Sequence, residues 1–126
     1  MNYPKELSYA QTHEWVQKLP DGKLRVGISD FAQDALGDVV FVNLPMEGDA
    51  VTIGTAFADV ESVKAVSEIF SPANGVVTAV NEFVLNNPEA VNEDPYGAWL
   101  IEVGEVTEVA QLLSSTQYGE HTQKEG

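Results

Sequence analysis

The chain has 126 residues, an ordinary length for one domain, and 44% of them are hydrophobic, as in typical globular proteins. Six basic and twenty acidic side chains give a formal charge of −14, which excludes the clustered cations that bind nucleic acid or an anionic membrane. The lack of cysteine excludes disulfides and thiolate nucleophiles. We therefore expect a single domain over 1–126, no nucleic-acid or membrane partner, and protein partners with basic docking surfaces.

No apolar run approaches the length of a membrane span, and residues 1–6 lack both the apolar core of a signal peptide and the arginines of a transit peptide. We expect a cytoplasmic protein of bacterial type. A mature mitochondrial protein would have the same features, so that alternative stays open.

Short runs rich in β-branched residues, separated by turns that contain Gly or Pro, predict a mainly β fold, either a small sandwich or a barrel. The first turn, Pro-Asp-Gly-Lys at 20–23, joins two such runs into a hairpin. The predicted strands cover 13–19, 24–28, 38–44, 76–80 and 99–103.

Two helices are predicted among these strands. A capping-box pattern that begins at Asp30 and a helix stop at Gly37 predict a short helix near 30–36. Apolar residues at helical spacing predict a C-terminal helix near 106–117. The stretch 86–97 holds two prolines and three asparagines, so it is predicted to be a loop.

Lys64 is the only cation between Arg25 and Lys124, and its neighbours are mostly small or apolar. Apolar residues at three-residue spacing around it predict a helix from about 56 to 70. The strict alternation at 58–61, which breaks just before Lys64, instead predicts two strands joined by a turn at the lysine. No Gly or Pro marks such a turn, so the pattern leaves both alternatives open.

The run around this lysine, Glu61-Ser62-Val63-Lys64-Ala65, resembles the attachment motif of the glycine cleavage system H proteins, a family of lipoyl carriers. The agreement in order and spacing extends from about residue 8 to residue 118. The other matching segments are His13-Glu14-Trp15, Val26-Gly27-Ile28, Phe31-Ala32-Gln33, Leu36-Gly37-Asp38-Val39-Val40-Phe41-Val42, Leu44-Pro45, Ser71-Pro72, Gly75-Val76-Val77, Pro95-Tyr96-Gly97 and Trp99-Leu100-Ile101.

The resemblance implies a carrier that is not itself an enzyme, with lipoate in amide linkage to Lys64. It also implies the barrel-sandwich hybrid fold of that family, with a lipoyl-binding-like region at 23–105 and Lys64 at the tip of a tight β turn. The recognition turn around the lysine would consist of Glu61, Ser62, Val63 and Ala65.

The function implied by the resemblance is transport of the aminomethyl group of glycine. The implied partners are a pyridoxal-phosphate-dependent glycine decarboxylase, a folate-dependent aminomethyltransferase and a dihydrolipoamide dehydrogenase that reoxidises the lipoyl arm. A lipoate ligase or a lipoyl/octanoyl transferase would attach the cofactor. Glu14 and Glu68 are the candidates for a cleft that shelters the loaded arm, because a carboxylate binds a cationic nitrogen.

Other functions share part of this pattern. An H-like protein that relays lipoyl groups to other carriers would have the same attachment motif. A biotin carrier domain shares the fold, but it usually has methionines beside the lysine, where this chain has Val63 and Ala65. An enzyme that forms a Schiff base at Lys64 is disfavoured, because the acids at 61 and 68 stabilise the charged amine.

The chain has two histidines, His13 and His121. They lie far apart in the sequence, and neither belongs to a spacing typical of metal ligands or of a catalytic triad. We therefore expect no metal site. His13 is expected to support the neighbouring Glu14 and Trp15, and His121 is expected in a polar tail.

Overall fold

A computed structural model describes residues 1–125. The strands form a six-stranded antiparallel sheet in the order β1-β2-β3-β9-β8-β5 and a three-stranded sheet in the order β4-β6-β7. The predicted mainly β class is confirmed. The elements are β1 (Ser8–Tyr9), β2 (Glu14–Lys18), β3 (Leu24–Ile28), α1 (Asp30–Leu36), β4 (Val39–Asn43), β5 (Ala50–Val51), β6 (Ala56–Ser62), β7 (Val66–Phe70), β8 (Ala73–Val80), α2 (Glu82–Asn86), α3 (Ala90–Glu93), β9 (Ile101–Val109) and α4 (Ser115–Glu125).

The predicted short helix near 30–36 is confirmed as α1, although its N-cap is Ser29. The Ser29 hydroxyl oxygen accepts a hydrogen bond from the backbone N–H of Ala32 at 3.2 Å, which satisfies one of the free donors of the first turn. At the other end, Gly37 has a φ of 78°, and its N–H donates to the Gln33 carbonyl. Both ends of α1 are therefore set by local sequence.

The largest buried apolar cluster lies between the three-stranded sheet and the three short helices. Val60 of β6, Val84 of α2 and Leu100 are fully buried in it. A second cluster belongs to the six-stranded sheet and is built mainly from β-branched residues. The members of the second cluster are Val26, Val51, Val77, Ile101 and Val103. No helix among residues 1–125 is long and apolar enough to cross a membrane.

The predicted helix near 106–117 is wrong in its position. Strand β9 continues to Val109, and the C-terminal helix α4 begins only at Ser115. A bulge in β9 explains the misleading pattern, because the pairing with β8 changes register and Glu105 has a φ of 48°. The bulge shifts the parity of the strand, so Val106 and Val109 contact the core at the three-residue spacing that resembles a helix.

The predicted loop at 86–97 is also wrong in part, since helix α3 lies within this range and helix α2 ends at its first residue. Each helix inserts one valine into the core, Val84 from α2 and Val91 from α3. Helices of five and four residues are too short to show a periodic apolar pattern, so the prolines and asparagines dominated the prediction.

Candidate functional site

The segment around Lys64 is a hairpin formed by β6 and β7, so the helix from 56 to 70 is wrong and the strand-turn-strand alternative is confirmed. The last cross-strand pair joins Glu61 to Val66. Beyond it, the Ser62 N–H donates to the Ala65 carbonyl at 2.8 Å. The turn therefore consists of residues 62–65, and Lys64 lies at its tip.

The side chain of Ser62 closes this turn in place of the missing glycine or proline. Its hydroxyl oxygen accepts the backbone N–H of Lys64 at 3.3 Å and that of Ala65 at 3.1 Å. A serine hydroxyl can support a turn in this way by copying a backbone acceptor. Ser62 is therefore the sequence signal for this turn, which contains neither Gly nor Pro.

The hairpin tip is attached to the neighbouring strand as well as to itself. The Val63 N–H donates to the carbonyl of Asp38, just before β4, at 3.1 Å. The alkyl chain of Lys64 lies back over Gly37, where an added Cβ would be 3.5 Å from the lysine Cε. Lys64 is exposed to solvent in a fixed turn whose four backbone N–H groups all have acceptors.

Apolar side chains surround the exposed lysine. Val63 is 70% exposed and Val66 64% exposed, and Phe41 of the adjacent strand β4 is 52% exposed. Phe41 pairs with Glu61, which in turn pairs with Val66, so the three form one row across the sheet. We call Phe41, Val63 and Val66 the tip patch. An apolar patch beside a charged turn is typical of a recognition surface.

Glu14 is 1% exposed, which is unusual for a carboxylate. The Thr12 hydroxyl donates to one of its oxygens, and the Phe70 N–H donates to the other at 3.2 Å. Burial raises the pKa of Glu14 to about 7, while these two hydrogen bonds act in the opposite direction. Glu14 lines a cavity of about 460 Å³ together with Thr12, Ile53, Phe70, Pro72 and Ala110.

Glu68 lies on β7 and is exposed, and it lines a different cavity of about 240 Å³ between α1 and β7. The walls of this second cavity are mostly apolar and include Ile28, Phe31, Leu36 and Ile69. Thr12 lines both cavities. The structure therefore places the two predicted acids in neighbouring cavities with one shared wall residue, rather than in one cleft.

The comparisons with known proteins agree with the resemblance seen in the sequence. A family model described as "Glycine cleavage H-protein" matches residues 7–125. The chain belongs to the glycine cleavage H-protein family. A protein named glycine cleavage system H protein from Lachnoclostridium phytofermentans is 46% identical over 125 residues, with 99% of this chain and 98% of the relative covered. The protein of the same name from Bacillus velezensis is 49% identical over 128 residues, with 99% of this chain and 100% of the relative covered.

A solved structure of the family supports the same conclusion. The crystal structure of a glycine cleavage system H protein from Mycobacterium marinum superposes with a TM-score of 0.91 at 40% identity. The match covers 96% of this chain and 99% of that one. The family fold expected from the sequence is thereby confirmed.

The structure also brings together residues that the sequence placed apart. The Nε2 atoms of His13 and His121 lie 2.9 and 3.0 Å from the same oxygen of Glu125. The two histidines, which are far apart in the sequence, are therefore neighbours in the fold. Burial lowers the pKa of His13, and the carboxylate of Glu125 offsets part of that effect. No local motif could have shown this cluster, because β2 and α4 lie near opposite ends of the chain.

Proposed function

We propose that this chain is the carrier protein of a glycine cleavage system and that lipoate is joined to it by an amide bond at Lys64 Nζ. The observation that carries the proposal is an exposed lysine at the tip of a closed hairpin, within a chain of this family. The lysine is also the only cation between Arg25 and Lys124, so an attaching enzyme meets a single amine in this part of the chain. In this role the protein carries a reactive group and is not itself a catalyst.

The turn presents the amine in one place. Ser62 and the Asp38 carbonyl hold the backbone on both sides of Lys64, so a modifying enzyme does not have to order the loop first. The tip patch gives that enzyme an apolar surface next to the amine. A lipoate ligase or a lipoyl/octanoyl transferase is the enzyme that this arrangement fits.

The surroundings of Lys64 suit a long apolar acyl chain. The lysine lies over Gly37, and the preceding residue, Leu36, lines the apolar cavity between α1 and β7. Glu68 is four residues from Lys64, so their Cα atoms are at most about 13 Å apart at the rise of an extended strand. An acyl extension of the lysine therefore has an apolar groove with an acid at its rim within reach.

When bound, lipoate would supply the disulfide that accepts the aminomethyl group, a chemistry that a cysteine-free chain cannot provide itself. The residues of the chain would hold and shelter the cargo. Glu14 is suited to bind a cationic nitrogen, because a cation would favour the ionised form of a carboxyl whose pKa burial raises to about 7. The Thr12 hydroxyl and the Phe70 N–H orient that carboxyl.

The proposed partners are those of the glycine cleavage system: the pyridoxal-phosphate-dependent decarboxylase, the folate-dependent aminomethyltransferase and dihydrolipoamide dehydrogenase. We place their encounter with this chain in the cytoplasm. The formal charge of −14 would speed association with basic docking surfaces more than it would tighten the complexes.

Intact mass measurement tests the attachment directly. Protein produced with lipoate and a functional ligase should gain one lipoyl group, and Lys64→Arg should gain none, because arginine keeps the charge but is not acylated. Lys18→Arg, which changes an exposed lysine outside the hairpin of β6 and β7, is the matched control and should still gain the group. A biotin adduct, or a lipoyl adduct that persists in Lys64→Arg, would contradict the proposal.

A second measurement separates glycine cleavage from lipoyl relay. The lipoylated protein should support exchange of bicarbonate with the carboxyl group of glycine when it is mixed with glycine decarboxylase. If the lipoylated protein supports no exchange but donates its lipoyl group to another carrier in the presence of a transferase, lipoyl relay is its function instead.

A further inference from the structure

A cluster of metal-ligating groups joins the start of strand β2 to the end of helix α4. One ligand atom from each of His13, His121 and Glu125 lies within 4.8 Å of the others. The cluster is reached by solvent but not fully open, since the three side chains are 19%, 27% and 43% exposed. His13 is also a wall residue of the cavity between α1 and β7, but His121 and Glu125 are not, and the attachment of lipoate at Lys64 does not require the cluster.

We propose that His13, His121 and Glu125 form a binding site for a divalent transition-metal ion of the zinc type. Two imidazole nitrogens and one carboxylate oxygen are the ligands that such an ion prefers when no thiolate is present. His121 and Glu125 are four residues apart on α4, so one face of the helix supplies both, and His13 faces them from the sheet.

The Nε2 atoms already converge on one point. They lie 2.9 and 3.0 Å from Glu125 Oε2. A tetrahedral zinc ion with bonds of about 2.0–2.1 Å holds its ligand atoms about 3.3–3.4 Å apart. The contacts to Glu125 therefore need to lengthen by only a few tenths of an ångström, which a rotation of the exposed Glu125 side chain can provide.

The second ring nitrogen of His13 is held in place, as it is in established metal sites. His13 Nδ1 lies 2.7 Å from the Tyr118 hydroxyl, which itself lies 2.6 Å from the Ser29 hydroxyl. The Tyr118 oxygen can accept a hydrogen bond from His13 Nδ1–H while its own hydroxyl donates to the Ser29 oxygen. In that arrangement the lone pair of Nε2 is free to bind the metal.

An oxygen of the main chain lies next to the proposed metal position. The Gln11 carbonyl is 2.9 Å from His121 Nε2. A bound ion would take this carbonyl or a water molecule as its fourth ligand, and the partial exposure of the cluster allows either. Such an ion would join α4 to β2 and so stabilise the docking of the C-terminal helix.

The backbone conformation of His13 is energetically unfavourable. Its φ of 83° lies in the left-handed region that non-glycine residues rarely adopt. The imidazole faces His121 of α4, and its other contact is a stack on Phe31 of α1 at a centroid distance of 4.8 Å. The strain is consistent with a side chain that is directed to a site, and the convergence of the three ligands is the evidence for one.

Isothermal titration with zinc chloride tests the proposal on the full-length chain without a histidine tag. The wild type should bind one equivalent, and a millimolar excess of Mg²⁺ should not displace it, because magnesium prefers oxygen ligands. His121→Gln and Glu125→Gln should each weaken binding at least about tenfold, which is the loss that even supporting residues of metal sites cause. Glu120→Gln, which removes the same charge from an exposed position of α4, is the matched control and should bind like the wild type.

An independent readout does not depend on the variants. The chain has only two histidines, so its NMR spectrum contains only two sets of imidazole signals. Zinc should shift both sets together. The proposal would be overturned if the wild type bound no zinc at 100 μM, or if the imidazole signals did not shift. It would also be overturned if more than one zinc ion bound and Glu120→Gln weakened binding as much as His121→Gln and Glu125→Gln. In those cases the cluster only forms hydrogen bonds that hold α4 against the start of β2.

Discussion

Replacing Glu14 by Gln should change how the stability of the protein depends on pH. Glu14 is 1% exposed, and burial raises its pKa from 4.5 to about 7. The folded state therefore holds this proton more tightly than the unfolded state does. The resulting stabilisation is fully present below pH 4.5 and is lost as the pH rises through about 7.

The shift sets the size of the effect. A pKa difference of one unit corresponds to about 1.4 kcal/mol, so the rise of the pKa from 4.5 to about 7 limits the total loss to about 3 kcal/mol. Between pH 5 and pH 8 the linkage relation gives a loss of about 2.5 kcal/mol. Gln at position 14 cannot ionise, and it can keep both hydrogen bonds if the Thr12 hydroxyl rotates to accept from its amide. Between pH 5 and pH 8, the free energy of unfolding of the variant should therefore rise by about 2.5 kcal/mol relative to that of the wild type.

Guanidinium unfolding of the wild type and of Glu14→Gln at both pH values measures this difference. Other titrating groups are common to the two proteins, so their contributions cancel. Glu47→Gln removes the same charge from an exposed turn and controls for the change in net charge. If the stability difference between wild type and Glu14→Gln is the same at pH 5 and pH 8, Glu14 does not hold its proton in the folded state and the reasoning is refuted.

Three further substitutions test the packing and the hydrogen bonds around the site. Gly27→Ala should destabilise the protein by about 2–3 kcal/mol, because the added methyl would lie 2.6 Å from the Trp15 ring. Gly119→Ala, in α4 with its nearest neighbour at 3.8 Å, should leave the melting temperature unchanged or raise it, and equal losses in both variants would contradict the argument. Asn92→Ala should lower the free energy of unfolding by about 2–3 kcal/mol, because its amide makes three hydrogen bonds to the segment around Gly37. A loss below about 0.5 kcal/mol in chemical unfolding would show that water replaces those bonds.

Local signals in the sequence predicted the elements whose ends are local. Helix α1 was predictable because a polar start and Gly37 lie within a few residues of each other. The hairpin of β2 and β3 was predictable for the same reason, since the turn that joins them is marked by Pro, Asp and Gly. In both cases the residues that determine the structure are neighbours in the chain.

The elements that were mispredicted depend on partners far away in the sequence. The C-terminal part of β9 has helical spacing only because a bulge changes its parity against β8. The cluster of His13, His121 and Glu125 exists only because α4 packs beside the start of β2. A single sequence contains neither pairing explicitly. The periodicity around Lys64 fits both a helix and a hairpin, and only the family resemblance favours the hairpin.

The surface beneath Lys64 is held by parts of the chain that are distant in sequence. Helix α1 leads to this surface and ends at Gly37, over which the lysine lies. At its start, the cap residue Ser29 is hydrogen-bonded to Tyr118 of α4, and at its end the Gly37 carbonyl accepts from the Asn92 amide of α3. Because both ends of α1 are held from outside, the exposed hairpin tip rests on a rigid base. The long lysine side chain can then move while the turn that carries it stays in place.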